Sequence, residues 1–240
     1  SLAINNPNPA TGGKTADTLQ DIKNNAMSNF ATQNRTVTKD DYIVRSYAMP
    51  SKFGSVSKVF IASDEQLTEE GAALKNPLAV NMYCLTYDKD KRLTTLSSAA
   101  KQNLRTYLSQ YRMLTDAINI KDGFIVNIGI TFAITVTPSY NSNVVLLQAI
   151  SALKDKLAID NLTFSSPIYL RDLFLTIAEV PGVQSVTDLD VVNKYGGDYS
   201  KYKYNLTLAE HNNTIYPSLD PSCFEVKFPD KDIQGKVVQY

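Results

Sequence analysis

An α+β fold is predicted: an N-terminal helical pair, then a mixed sheet with helices packed on it, and a short β-rich C-terminal tail. Three observations carry that prediction. Apolar residues recur at three- and four-residue steps before residue 50, strand and helix patterns alternate from 55 to 192, and one run keeps period-two alternation across residues 124–136. One sheet covered by helices on a face accommodates such an order. The corresponding partition is a linker and helical pair over 1–50, an α+β sandwich over 51–194, and a Tyr-rich loop with a β-rich tail over 195–240.

Residues 5–14 hold Pro7, Pro9, Gly12 and Gly13, the composition of a linker. Leu19, Ile22, Ala26, Met27 and Phe30 then form the apolar stripe of an amphipathic helix. Thr38-Lys39-Asp40-Asp41 is a capping-box pattern, with Thr38 as N-cap and Asp41 reaching back. The helix it opens turns Tyr42, Ile43 and Tyr47 inward and ends near Pro50. Residues 55–62 and 78–87, rich in Val, Ile, Phe and Tyr, read as strands. Ser97 or Ser98 caps the next helix, whose stripe is Ala100, Leu104, Tyr107, Leu108 and Tyr111.

The clearest element follows. Phe124, Val126, Ile128, Ile130, Phe132, Ile134 and Val136 occupy every second position, with Asn127, Thr131 and Thr135 among the residues between them. Such alternation predicts a strand about 45 Å long with one side on a core. Leu146, Leu147, Ile150, Leu153 and Leu157 give a helix beginning near Asn143. Ser166-Pro167 predicts an N-cap with Pro at the first helical position, opening a helix that buries Ile168, Leu173, Phe174 and Ile177. The Val180-Pro181-Gly182-Val183 turn leads into a strand over 183–192. Short strands are expected at 204–208 and 223–228.

Lys plus Arg and Asp plus Glu are equal at 24 each, which weighs against a phosphate-binding surface because such surfaces carry a basic surplus. The two cysteines, Cys84 and Cys223, form no disulfide framework or metal-ligand spacing, and Cys84 in its apolar run reads as a buried thiol. That usage fits a reducing, cytoplasmic origin. No apolar stretch reaches the roughly 18 residues that span a bilayer. The opening Ser1-Leu2-Ala3-Ile4 lacks an initiator Met and the regions of a signal peptide, and is expected to belong to a fragment of a longer polypeptide.

Chemistry-bearing patterns are sparse. Gly13-Lys14-Thr15 resembles the end of a phosphate-cradling loop, but the required first Gly is Asn8 and prolines stand where a strand belongs, so a linker is the expected state. His211 is the only histidine and announces no partner for a metal site or dyad. Asp188 and Asp190 share one strand face, the spacing of paired acid–base or cation-binding carboxylates, but with no third oxygen ligand a solvated face is expected. The Asn-x-Ser/Thr triplets at Asn34, Asn161, Asn205 and Asn212 are expected to be chance. In the loop 195–204, Tyr199, Tyr202 and Tyr204 interleave with Lys201 and Lys203. That pattern suits a packed connection, a protein contact, or a stacking surface for single-stranded nucleic acid. No catalytic, cofactor or metal residues are expected.

Gly12-Gly13, the helical stretch 17–30, and Arg35-Thr36-Val37-Thr38-Lys39-Asp40-Asp41-Tyr42 together resemble the signature of the baseplate J-like family of contractile tails, T-even wedge proteins included. In that family a Gly-Gly helix leads into an RxVTxxDY segment. The alternating strand 125–137, its Pro-Ser-Tyr turn, the next helix, Ser166-Pro167-Ile168 and Val180-Pro181-Gly182-Val183 resemble the family's later domain in order and spacing. The resemblance spans residues 10–193; 195–240 match only in that a Pro-rich β tail suits the T-even branch. It implies a late structural protein of the virion tail, assembled in the host cytoplasm. Such a subunit pairs with itself and with other wedge proteins in a ring around the hub. It transmits the change that triggers sheath contraction, and it performs no bond chemistry and needs no cofactor, nucleic acid, membrane or small-molecule substrate. Gly12, Gly13, Arg35, Thr38, Asp41 and Tyr42 become the structural motif, with Arg35 expected to pin the two helices by charge-assisted hydrogen bonds. Tyr199, Tyr202 and Tyr204 become the expected partner contact.

Overall fold

The computed structural model describes residues 19, 22–23, 35–63, 79–114 and 116–238. Gly12, Gly13 and the Gly13-Lys14-Thr15 pattern lie outside them, as does the expected first helix except for Leu19, Ile22 and Lys23, which are helical and exposed. The chain divides into two compact units, 1–123 and 124–240. Both combine helices with sheet, so the α+β class holds. The strands expected in a single sheet instead belong to two four-stranded sheets, one in each unit.

In the first unit, α1 (Lys39–Tyr47) is followed by a 3-10 turn, Ser51–Phe53, then β1 (Lys58–Ser63), β2 (Ala79–Tyr87), β3 (Leu93–Thr95), α2 (Ser98–Ser109) and β4 (Ala117–Asp122). β2 is central. β1 pairs antiparallel along one edge, while parallel β4 and antiparallel β3 share the other. β2 reads as a continuous apolar run because both its faces are covered: Met82 and Cys84 on one and Tyr83 and Leu85 on the other are buried. The expected α2 stripe is present, with Leu104 and Leu108 at its centre and Ser97 accepting from the Ala100 N–H as N-cap. Tyr42, Val59, Ile61, Met82, Leu104 and Leu108 meet in one core. Tyr47, expected inward, is 41% exposed; its hydroxyl accepts from the Val59 N–H at 3.2 Å, so the ring lies over the rim of the sheet.

The second unit is organised by β5 (Phe124–Val136). It continues with α3 (Ser142–Lys156), β6 (Ile168–Tyr169), α4 (Leu170–Ala178), β7 (Val183–Lys194), α5 (Leu206–Ala209), β8 (Glu210–His211), β9 (Thr214–Ile215), β10 (Ser222–Glu225), α6 (Pro229–Asp232) and β11 (Ile233–Val237). Parallel β10 and β11 occupy successive lengths of one β5 edge, and antiparallel β7 runs along the other. The C-terminal segment therefore completes the sheet around β5. Strands β6, β9 and β8 form a separate three-stranded sheet.

The alternating residues Val126, Ile128, Ile130, Phe132 and Ile134 face a core with Val145, Ala149, Leu153, Leu173 and Ile177 from α3 and α4. The expectation that only one side of this strand is covered needs correction. Asn127, Ala133 and Thr135 on its other face are buried too. Gly129 on that face lies beneath the Lys194 side chain, and a Cβ there would stand 2.7 Å from Lys194 Cε.

Three local expectations also change. α3 begins from Asn141 as N-cap; of its expected stripe Leu153 and Leu157 are buried and Leu146 and Ile150 pack against the same core, while Leu147 is 66% exposed and Val145 and Ala149 join the buried face. Ser166-Pro167 does not open a helix. The Ser166 hydroxyl bonds the Thr163 carbonyl, Ile168–Tyr169 pair with β9, and α4 starts one step later without a side-chain cap. Phe174, expected in the core, is 42% exposed. Residues 206–209 are helical rather than extended because Asn205 accepts from the Leu208 N–H and caps the turn. Among the described residues no helix is long and apolar enough to cross a membrane.

Candidate functional site

The segment 35–47 is a built joint within the first unit. The Asp41 N–H bonds Thr38 Oγ1 at 3.2 Å, and Asp41 Oδ2 accepts from the N–H groups of Thr38 and Val37 at 2.9 and 3.0 Å. The capping box is therefore closed in both directions. Its carboxylate is held below the usual range: partial burial works upward, but the Thr38 and Val37 N–H groups outweigh it.

Three residues then fasten this joint to the stretch after α2. Thr36 is fully buried; its N–H and hydroxyl both donate to the Tyr111 carbonyl at 3.0 Å, and it bridges Arg112 in a parallel sense. The Tyr42 ring is in the core, and its hydroxyl donates to Asp116 Oδ2 at 2.6 Å. Burial first, and the adjacent carboxylate second, push this phenol up to about 12. Arg45, 7% exposed, lays its guanidinium 4.5 Å from the centre of the Tyr111 ring.

Arg35 is exposed and makes no hydrogen bond or ion pair among the described residues. Within those residues the cation that fastens the joint is Arg45, one turn beyond Asp41. Its signal in the sequence was present but ambiguous: a basic residue in the last helical turn is ordinary dipole complementarity, and only the apposition of Tyr111 shows the ring beneath it.

The Tyr-rich loop 195–204 folds against the second unit. Tyr199 donates to Asp232 Oδ1 at 2.6 Å and meets Phe228 edge-on at 5.4 Å. Its phenol is pushed up to about 12, the hydrogen bond to Asp232 acting before desolvation. Tyr202 packs its ring 4.9 Å from Phe124, stacks on Tyr204 at 6.5 Å, and reaches Ser218 Oγ at 3.3 Å. Tyr204 donates to the Tyr216 carbonyl at 2.7 Å. The loop also lends its backbone to a buried polar network. Ser200 N–H donates to Asn127 Oδ1 at 2.7 Å, Asn127 Nδ2 donates to Glu225 Oε2 at 2.7 Å, and Tyr204 N–H donates to Asn193 Oδ1 at 3.0 Å. All three tyrosines are half-buried, and Lys201 and Lys203 between them are exposed.

Other singled-out residues stand apart. Asp188 and Asp190 register with Ala133 and Thr131, so they share the face of β7 that points away from α3 and α4, and both are exposed. His211 is exposed at the end of β8. Cys84 is fully buried, and burial pushes its thiol up to about 12, so it stays protonated near neutrality. Among the described residues no group of three His, Cys, Asp or Glu side chains could hold a metal ion.

No family model and no curated protein matches the sequence. Among solved structures, a chain of the anti-feeding prophage baseplate, determined by cryo-electron microscopy with sixfold symmetrisation, matches at a TM-score of 0.51 and 17% sequence identity. The match covers 90% of this chain and 43% of the other, so this chain spans less than half the length of its structural neighbour. The two share a fold.

Proposed function

We propose that this chain is a structural building block of a contractile-tail baseplate: a wedge subunit that joins copies of itself and other wedge proteins in a ring around the hub. In this reading it is a virion component assembled in the host cytoplasm. It carries the rearrangement that triggers sheath contraction by moving as rigid parts, without catalysing a reaction. The observation that carries the proposal is the likeness to a baseplate chain over 90% of this chain. The joint at 36–45 supports it in kind, because its groups are spent on each other: cap on backbone, phenol on carboxylate, guanidinium on ring.

The test is assembly. Purified chain, alone and mixed with the other baseplate proteins of its parent particle, is examined by size-exclusion chromatography with light scattering and by crosslinking. Co-elution in defined stoichiometry is expected. A chain that stays monomeric and uncrosslinked at high concentration in every mixture overturns the proposal.

A further inference from the structure

We propose that the outer edge of β7 is a docking edge for an extended segment of a partner protein in which apolar residues alternate with lysine or arginine. β7 is 12 residues long and pairs with one strand, β5. Along its other edge no backbone hydrogen bond is made among the described residues. A row of unpaired N–H and C=O groups is a template for strand addition unless a protein blocks it. Two register shifts, between Ala133 and Ile134 and between Thr135 and Val136 of β5, bend the first part of β7. From Asp188 to Lys194 the pairing with β5 is regular; the far end, where the Tyr204 N–H bonds the Asn193 side chain, is occupied, leaving a straight stretch of edge around Asp188–Asp190.

Beside that edge runs an open groove of about 780 Å³, walled by α4, β7 and the β8–β9 turn. Leu170, Phe174 and Leu175 from α4 and Val186 and Leu189 from β7 line it. Phe174 and Leu175 are 42% and 43% exposed, so α4 turns apolar side chains toward the groove instead of the core. Asp188 and Asp190 alternate with Leu189 along the same edge; Asp188 also lines the groove, Glu210 lies on its far wall, and Arg171 is the one cation among its lining residues. An added strand would lay one set of alternate side chains on Phe174 and Leu175 and the other set beside the two aspartates. Apolar residues suit the first set and cations the second.

The same charges disfavour a second copy of this chain as occupant. Antiparallel pairing of the stretch Asp188–Asp190 with itself sets each Asp188 opposite the Asp190 of the other copy, and like charges directly opposed are destabilising. This proposal stands whether or not the chain is a baseplate subunit, because it is read by peptide binding to the isolated chain.

Fluorescein-labelled peptides about eight residues long, within the ordinary range of strands, are titrated into the full chain and followed by anisotropy. Three are compared: alternating Val and Lys, alternating Val and Glu, and the Val–Lys peptide N-methylated at every backbone amide. Saturable binding of the Val–Lys peptide is expected, about tenfold tighter than the Val–Glu peptide, with the methylated form silent. Bound peptide should slow hydrogen exchange in β7. The exposed pair Asp188→Asn with Asp190→Asn should weaken binding about fivefold while leaving the melting temperature in place. Equal binding of the Val–Lys and Val–Glu peptides, full binding of the methylated peptide, unprotected β7 amides, absent saturable binding, or self-association through β7 each overturns the proposal.

Discussion

Two tyrosines make the same bond in the two units and hold different things. Tyr42 in the first unit and Tyr199 in the second each donate to an aspartate at 2.6 Å, and each phenol is pushed up to about 12. For Tyr42 burial is the leading cause: its ring is 2% exposed and belongs to the core under β2, so the hydroxyl only orients a side chain already packed. For Tyr199 the hydrogen bond leads, and the ring is half-buried against Phe228. The first tyrosine is core with a polar tip, the second a clasp on a loop. An identical contact distance therefore says little about how much stability depends on the residue.

The largest expected effect separates the two directly. Tyr42→Ala should cost about 3–5 kcal/mol, because a buried ring and its packing are lost, while Tyr199→Ala should cost about 1 kcal/mol. Denaturant unfolding monitored by hydrogen exchange in each unit measures both; equal losses would break the distinction between core and clasp. Next comes a backbone test in the second unit. Gly182 has φ +96°, and a Cβ there would stand 2.8 Å from both Tyr140 and Val145. Gly182→Ala should cost about 2–3 kcal/mol, with the turn from α4 into β7 exchanging faster.

Removing only the hydroxyl sharpens the comparison. Tyr42→Phe should cost about 1–2 kcal/mol, since Asp116 loses a donor. The pH dependence has a defined sign. A phenol whose folded pKa lies above its ordinary value of 10.0 contributes stability fully present below pH 10 and lost as pH rises through about 12. Alkaline titration should therefore weaken the wild type across that window, and Tyr42→Phe should flatten the part of the slope belonging to the first unit. The smallest effect concerns the cap: Thr38→Ala should cost about 1 kcal/mol, seen as a lower melting temperature with fraying confined to α1. Its partner Asp41, with a lowered pKa, contributes stability that disappears as pH falls below its ordinary 3.8, so acid and Thr38→Ala should not add fully.

Some of this architecture was legible because its cause is local. Thr38 with Asp41 is a contact across three residues, Ser97 caps its own helix, and the alternation of 124–136 can only be a strand with one apolar face. The capping box of this segment was legible, yet the contact of Arg45 with Tyr111 was not. Arg35 carries no mark that distinguishes it from Arg45, and the choice depends on Tyr111, which lies 66 positions beyond Arg45. The helix expected after Pro167 is present and buries Leu173 and Ile177, but its start was misplaced for the same reason. Ile168–Tyr169 pair with Thr214–Ile215, and no local signal announces a strand partner so far along the chain.

The amino-acid sequence alone settled the class of fold, the long central strand of the second unit and the capped helix of the first, since each depends on side-chain period or on groups a few residues apart. Tertiary structure decided how strands were shared between two sheets, and that the C-terminal strands complete the sheet around β5. Those outcomes turn on pairings between segments tens of residues apart. Their free energy comes from burial that exists only once both partners are in place, so neither partner records it in its own sequence.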